Sequence, residues 1–528
     1  MAKTLFRLFI RNLIPGITVG LVSIPLALSL AVGSGASPLA GIITAVWAGI
    51  VGALAGSSHY NITGPAGALV GLLAGYAAAF GVESLPMIAI LSGIITYGCY
   101  HLRVERYLTF IPGSALHGFI LGIAGIILIG QINPALGLVA SSKSSNLIAQ
   151  ALSSLSHLAD TNLYALGIFL AFLAGLLGFA FFTPRLPGAI VLAPFGILIG
   201  YAATHGLLPW HLQTIGTKYG VISASLINLP AFHFRFAYLI PSFSIAAICM
   251  IEVLVSARIA DGITKTKHDK RKELLGLALA NMLTGFAGGL PATAALARTA
   301  LNIRSGATHK IAGAIASITV ALVAYLLLPY FSYMPLAVIA AMLGFVAFRM
   351  IEMEHFSRLY RRDKKHFALS LIVAFITIYD DPTVGILFGA VMAMLIFMEK
   401  CSRGYHEKVL ETMPSTKPEN QPDTMVYSIK GPLAYINSPA HVGRLEQVPT
   451  TMRNVIIDIR NVDFIDADGT EALTESIEGL HERGHRVILS GVSPLTERFL
   501  ADAPIYGVLA KQGALCTTLQ EAYAQLHR

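Results

Sequence analysis

Charge is scarce in this chain. Of its 528 residues only 12% are Asp, Glu, Lys or Arg, whereas 55% are hydrophobic, and a soluble domain carries about 25% charged residues. Mean hydropathy is +0.67. No water-soluble fold hides that much apolar surface, and a disordered chain needs the opposite composition. Cysteine is scarce as well. Cys99, Cys249, Cys401 and Cys516 lie far apart with no CxxC pair, which excludes a disulfide framework and a zinc ribbon and fits a reduced, cytoplasm-facing protein. There is no GxxxxGKS or GxxxxGKT loop, hence no motif for direct use of ATP. The sixteen histidines form no ligand-spaced cluster along the chain, and Asp380-Asp381 reads as a loop boundary, so neither a metal nor a cofactor nor an enzyme is expected. Lys3, Arg7 and Arg11 precede the first apolar run, but no small-residue cleavage site follows, so that run is expected to be retained as a span.

The net charge of +8 is unevenly placed. Residues 1–398 hold 24 Lys+Arg against 12 Asp+Glu, a net of +12, and residues 399–528 hold 13 against 17, a net of −4. A basic excess confined to the apolar part reads as membrane topology, not nucleic-acid binding. Measured against the roughly 20 residues that cross a bilayer, about fourteen apolar stretches are found, at 14–33, 38–56, 65–80, 86–101, 111–130, 163–183, 188–204, 239–257, 274–289, 291–302, 311–329, 335–350, 366–380 and 384–399. With both termini on one side, the loops on that side carry 21 basic residues and the opposite loops only Lys143, Lys218 and Arg235. The positive-inside rule therefore puts both termini in the cytoplasm.

The two halves repeat. Ile14-Pro15 matches Ile240-Pro241, and Pro65-Ala66 matches Pro291-Ala292, both at an offset of 226; Tyr107-Leu-Thr-Phe-Ile-Pro112 recurs as Tyr330-Phe-Ser-Tyr-Met-Pro335, and Gly196-Ile-Leu-Ile-Gly200 as Gly385-Ile-Leu-Phe-Gly389. Seven spans per half is an odd number, so the second half enters the membrane inverted, the plan of many secondary transporters. In such folds discontinuous helices point their N-termini at a site near the midplane. Asn61-Ile-Thr63-Gly64-Pro65-Ala66-Gly67 and Gly288-Gly289-Leu290-Pro291-Ala292-Thr293-Ala294 each read as an extended stretch entering a short helix that opens on proline. Two facing helix N-termini, each with about half a positive charge and free N–H groups, make an anion site without a basic side chain. Kinks that merely allow close helix packing are the competing reading.

Glu252 is the outlying carboxylate, with about a dozen apolar neighbours on either side. An acid at that depth is costly and is usually tied to ion or proton traffic; a structural, hydrogen-bonded acid is the alternative. Ser256, one turn on, could join Glu252 as an oxygen ligand for sodium. Arg298, seven residues past Pro291 and about 10 Å along a helix, either lines the anion path or snorkels as a topology anchor. Asn61-Ile62-Thr63 is a formal glycosylation sequon at a point where the chain re-enters the membrane, and is set aside.

From Glu411 to Thr424 the chain turns polar, with Pro414, Pro418 and Pro422. The expected domains are a transport domain at 1–400 (first repeat about 12–204, second about 238–400), a linker at 401–424, and an α/β tail at 425–528. In the tail, Val455–Ile459 and Arg486–Ser490 read as strands and Gly469–Arg483 as a helix. Asp468 then stands at the entry to that helix, as its cap or as a fixed negative charge.

On these residues the chain resembles the SulP (sulfate permease) family of anion transporters, relatives of the animal solute-carrier anion exchangers. The resemblance is carried by Ile62–Ala68, Ile259-Ala260-Asp261-Gly262, Gly288–Thr293 followed by Ala297-Arg298-Thr299, and Ser332-Tyr-Met-Pro-Leu336. The tail is similar to the family's STAS domain and to anti-sigma-factor antagonists, through Val455–Ile459 and Phe464-Ile-Asp-Ala-Asp468-Gly469. The resemblance implies a polytopic α-helical membrane protein of about fourteen segments in two inverted repeats, with core and gate domains, a cytoplasmic α/β STAS domain, and a homodimer in the cytoplasmic membrane. It implies an anion site between Ala66 and Ala292-Thr293-Ala294, with Ser23 nearby and Glu252 as coupling acid; Thr63, Gly64 and Arg298 join the candidate residues from their places beside the two half-helix starts. Where the antagonists carry a phosphorylatable serine this chain has Ala467-Asp468, so no phosphoswitch is expected there; a cytosolic protein partner of the tail remains open. The expected activity is secondary active transport of a small anion (sulfate, bicarbonate or a dicarboxylate), coupled to protons and elevator-like. Alternatives are sodium-coupled bicarbonate symport, anion exchange, a nucleobase–proton symporter, or a membrane sensor with STAS output.

Overall fold

Lipid offers no hydrogen bonds, so a spanning segment must close its backbone bonds within itself. The computed structural model describes residues 2–106, 113–138, 152–154, 156–183, 187–220, 225–230, 232–380, 382–411, 415–416, 423–501 and 503–526. Each of the fourteen expected stretches is met by a helix. The first half runs α1 (Ala2–Gly33), α2 (Pro38–Ala55), the two-residue strand β1 (Thr63–Gly64), α3 (Gly67–Phe80), α4 (Ser84–His101), α5 (Gly113–Gly130), α6 (Leu163–Phe182) and α7 (Gly188–Thr204). The second half repeats that order as α8 (Leu239–Thr264), α9 (Lys270–Phe286), β2 (Thr293–Ala294), α10 (Leu296–Arg304), α11 (Ile311–Phe331), α12 (Leu336–Met350), α13 (Lys364–Tyr379) and α14 (Pro382–Glu411).

Among the described residues, eight of these helices, α1, α2, α5, α6, α8, α11, α12 and α14, are long and apolar enough to cross a membrane by length and composition. α3, α7, α9, α10 and α13 are shorter, α9 and α13 also beginning in the charged turns Lys270–Glu273 and Lys364-Lys365, while α4 is as long as α2 but ends on the polar Tyr97–His101. Helix packing sorts the segments into two groups. α9 packs on α4 and α2, and α1 on α11, so α1–α4 and α8–α11 form a core group; α5 packs on α13 and α12, and α6 on α12, which gathers a gate group. The α1–α11 contact is close because Gly16 and Gly20 bare the backbone: a Cβ on Gly20 would stand 2.6 Å from Ala316 O.

The repeat marks fall where the offsets put them. Pro15 and Pro241 lie in α1 and α8, and Gly196–Gly200 and Gly385–Gly389 in α7 and α14. Tyr330–Pro335 leads into α12; its expected counterpart, Tyr107–Pro112, lies outside the described residues, as do Asp381 and the linker prolines Pro414, Pro418 and Pro422. α14 continues past residue 400 to Glu411, so the first part of the expected linker is helical.

The chain divides into two compact units, Met1–Ala393 and Met394–Arg528. The second carries a five-stranded sheet of β3 (Ser415–Thr416), β4 (Thr424–Lys430), β5 (Asn454–Asn461), β6 (Arg486–Ser490) and β7 (Leu515–Cys516) in that order, with only the β3–β4 pair antiparallel. Alternation along β5 sends Val455, Ile457 and Ile459 to one face and Ile456 to the other. The first face is covered by α15 (Ser438–Glu446), α16 (Ala467–Glu482), α17 (Pro494–Leu500) and α18 (Pro504–Lys511), through Leu445, Leu473, Ile477, Leu480, Leu500 and Leu509. The second face is covered by α19 (Leu519–Leu526), which lays Ala522 and Tyr523 over Val426, Ile456 and Ile488.

The cap of α16 is Asp466, not Asp468. Asp466 accepts hydrogen bonds from Gly469 N at 2.7 Å and Tyr435 N at 3.0 Å, because the helix begins at Ala467, two residues ahead of the expected start, leaving Asp468 exposed in its first turn. Asp466→Ala is expected to lower the stability of this unit by about 1 kcal/mol, read as a lower unfolding midpoint, while Asp468→Ala leaves the midpoint within error.

Candidate functional site

The extended stretches before α3 and α10 cross as antiparallel strands, Thr63 opposite Ala294 and Gly64 opposite Thr293. The helices that leave this crossing are short. At 1.5 Å per residue, the fourteen residues of α3 and the nine of α10 span about 21 Å and about 14 Å of a roughly 30 Å hydrocarbon core, so neither helix crosses it alone. Their N-caps, Ala66 and Ala295, are extended and have no side chain that bonds the first turn. No side chain among the described residues caps the leading amides of either helix, the arrangement that suits an anion.

Neither helix opens on proline. Pro65 stands two residues before Gly67, and Pro291 five before Leu296, so one proline follows its strand and the other precedes it. The reason is the fixed φ and missing donor of proline, and its bias of the preceding residue toward extended backbone; that suits the strands, and beside Pro291 both neighbouring amides have acceptors. Leu290 N donates to Thr44 Oγ1 at 2.7 Å, and Ala292 N to Asn281 Oδ1 at 2.7 Å, while Asn281 Nδ2 donates back to Ala292 O at 2.9 Å. Asn281 thus clamps both backbone groups of a single site residue from α9.

Because residues 291–295 are extended, Arg298 lies in the first turn of α10 rather than far along a helix. It is 3% exposed. Its Nη2 donates to Pro65 O, and a Cβ on Gly64 would stand 2.6 Å from Nη1, so only glycine leaves the guanidinium room there. Gly52 does the same for α2, where a Cβ would come within 2.8 Å of Thr63 Cβ.

α8 is tied to the crossing along one face. Thr293 Oγ1 donates to Cys249 O at 3.0 Å, Asn61 Nδ2 to Val253 O at 3.1 Å, and Ser256 Oγ to Asn61 Oδ1 at 2.9 Å. Positions 249, 253 and 256 share one stripe of a helix with 252, which turns Glu252 toward the crossing, where its carboxylate interacts electrostatically with Arg298. Its Oε2 is shut away from solvent without a hydrogen-bond partner among the described residues.

Thr63, Gly64, Ala66, Ala292, Thr293, Ala294, Arg298 and Glu252 are therefore brought together. Ser256 belongs to a neighbouring network, 3.1 Å from Thr299 Oγ1. Ser23 is buried on α1 and bonds Val19 O at 2.7 Å; none of its described hydrogen bonds reaches the crossing.

Sequence reasoning missed the supports: Thr44, Asn61, Glu273, Asn281 and Thr299. A signal existed for one of them, since Asn281 interrupts the apolar run of α9. Glu273 looks like one charge of a basic loop, yet it is buried and accepts from Ser57 N and Ser58 N at 2.8 Å each, Ser57 Oγ at 3.1 Å and Asn61 Nδ2 at 2.7 Å. Glu273→Ala strands these donors and is expected to cost about 3 kcal/mol or more, measured as a drop in the unfolding temperature of the detergent-solubilised protein.

The Sulfate permease family pattern matches residues 9–373, and the STAS domain pattern residues 416–522. A putative sulfate transporter, YvdB of Bacillus subtilis, is 31% identical over 96% of this chain and 95% of its own length. The bicarbonate transporter BicA of Picosynechococcus is 23% identical over 96% of this chain and 92% of its own. Among solved structures, the murine Solute Carrier 26 family member A9 anion transporter shares the fold at a TM-score of 0.83, with 15% identity, over 98% of this chain and 91% of that one. With its inverted repeats, its crossing of two half-helices and its C-terminal STAS domain, this integral membrane protein belongs to the sulfate permease family of anion transporters.

Proposed function

We propose that the protein is a secondary active transporter that carries a small oxyanion, sulfate first among the candidates, together with a proton, by an elevator-like motion of the core group against the gate group. The observation that carries this reading is the β1–β2 crossing, which sets two uncapped helix N-termini beside Arg298 and Glu252. The charges support it. With Arg298 positive and Glu252 negative the empty site is neutral; a monovalent anion plus one proton on Glu252 restores neutrality. A divalent anion leaves one negative charge, which two helix ends of about half a charge each offset. Ser256 is engaged by Asn61 and Thr299, which favours a proton over a sodium ion held between Ser256 and Glu252. The names of the relatives, a putative sulfate transporter and a bicarbonate transporter, support an oxyanion. The basic loops support both termini in the cytoplasm.

The test is uptake of labelled sulfate, bicarbonate and succinate into proteoliposomes under an inward proton gradient, an inward sodium gradient, or neither. Sulfate accumulation with the proton gradient is expected. Accumulation driven by sodium alone, or only by counter-anion loading, would overturn the coupling.

A further inference from the structure

The histidines that form no cluster along the chain form one in the fold. His117, in the first turns of α5, and Glu352 and His355, at the start of the short helix Met353–Arg362 that joins α12 to α13, come together across more than 230 positions of sequence. One ligand atom from each lies within 4.8 Å of the other two. His117 Nδ1 is 3.3 Å from Glu352 Oε2, and the two imidazole rings stack at 3.6 Å between centroids. His355 Nε2 is closed off from solvent with no hydrogen-bond partner among the described residues. The Glu352 side chain remains 45% exposed and leaves a way in.

We propose that His117, Glu352 and His355 form a binding site for a divalent transition-metal ion of the zinc type, in the gate group and separate from the anion site. Two neutral imidazoles and a carboxylate are a borderline donor set that suits zinc, and three protein ligands leave the fourth position to water. Ligands about 2.1 Å from a tetrahedral ion stand about 3.4 Å apart, close to the His117–Glu352 separation of 3.3 Å. The ion supplies the buried His355 Nε2 with the partner it lacks, and it ties α5 to the connection between α12 and α13. The neighbouring pair is different: His366 Nδ1 lies 2.9 Å from Ser114 Oγ and already has its partner.

The experiment uses the full chain, purified in detergent with a tag free of histidine, stripped with chelator and titrated with zinc chloride. One saturable site per chain is expected. His355→Gln and His117→Gln lower its affinity by more than about 100-fold, since even loss of an outer partner of a metal ligand costs about 10–100-fold, and His366→Gln binds as wild type. Zinc raises the unfolding temperature of wild type and of His366→Gln, but not of His355→Gln. Cobalt(II) on the wild-type protein gives the intense visible bands of a tetrahedral site, a readout that does not depend on any variant folding. Absence of a saturable zinc site in wild type, or equal zinc affinity in wild type and both ligand variants, would overturn the proposal; in that outcome the three side chains make only an ion pair and a ring stack.

Discussion

Glu252→Gln is expected to lower proton-driven accumulation of the anion on the order of 100-fold, the upper range of a coupling free energy between two bound ligands, while exchange of anion for anion survives. Gln keeps the size of the side chain but carries no charge at any pH. In the proposed mechanism the link between anion and proton runs through the charge on Glu252: ionised, it would offset Arg298 and weaken the pull on an incoming anion; protonated, it would free that pull. With Gln the site is fixed in the state that attracts the anion, so binding persists and its dependence on protons disappears. Uptake by wild type is expected to fall as external pH rises, and uptake by the variant to be flat with pH. Undiminished, pH-dependent accumulation by Glu252→Gln would remove Glu252 from the coupling.

Arg298→Ala is expected to raise the half-saturating anion concentration about 100-fold, an effect of about 3 kcal/mol, within the range seen when one partner of a buried, hydrogen-bonded charge pair is removed. The guanidinium donates to Pro65 O and lies against Gly64, so it positions the strand that leads into α3 and also contributes charge. Arg298→Lys restores the charge without the planar fork and cannot meet the carbonyl and an anion together; its affinity is expected to lie between those of the wild type and the Ala variant. Saturation curves for the three proteins check this ordering. An unchanged half-saturation in Arg298→Ala would place the anion elsewhere.

The spans were legible because lipid demands a long apolar run, and every expected run holds a helix. The repeat was legible from ordered proline and glycine matches whose offset drifts from 226 to 189 across the loops, and the inversion from the odd number of spans in each half. The register of the crossing was not. Pro65-Ala66 and Pro291-Ala292 align as letters, yet the strands pair Thr63 with Ala294, since which backbone groups meet is decided by partners that come from other helices, such as Thr44 and Asn281. Glu252 stood out because it is a charge inside an apolar run. Glu273 did not, because its neighbours Arg271 and Lys272 made it look solvated, and only the return of Ser57, Ser58 and Asn61 over it buries it. In the tail, Asp466 and Asp468 have equal capping chemistry, and the choice rests on where the chain first turns helical.

Proton movement with the anion is the most direct test of the proposed coupling. Proteoliposomes holding a pH-sensitive dye, with no imposed pH, sodium or counter-anion gradient, are given external sulfate. The lumen is expected to acidify as labelled sulfate enters, a protonophore to collapse the acidification, and Glu252→Gln vesicles to show none. Sulfate entry at the wild-type rate with no change in lumenal pH would contradict that coupling.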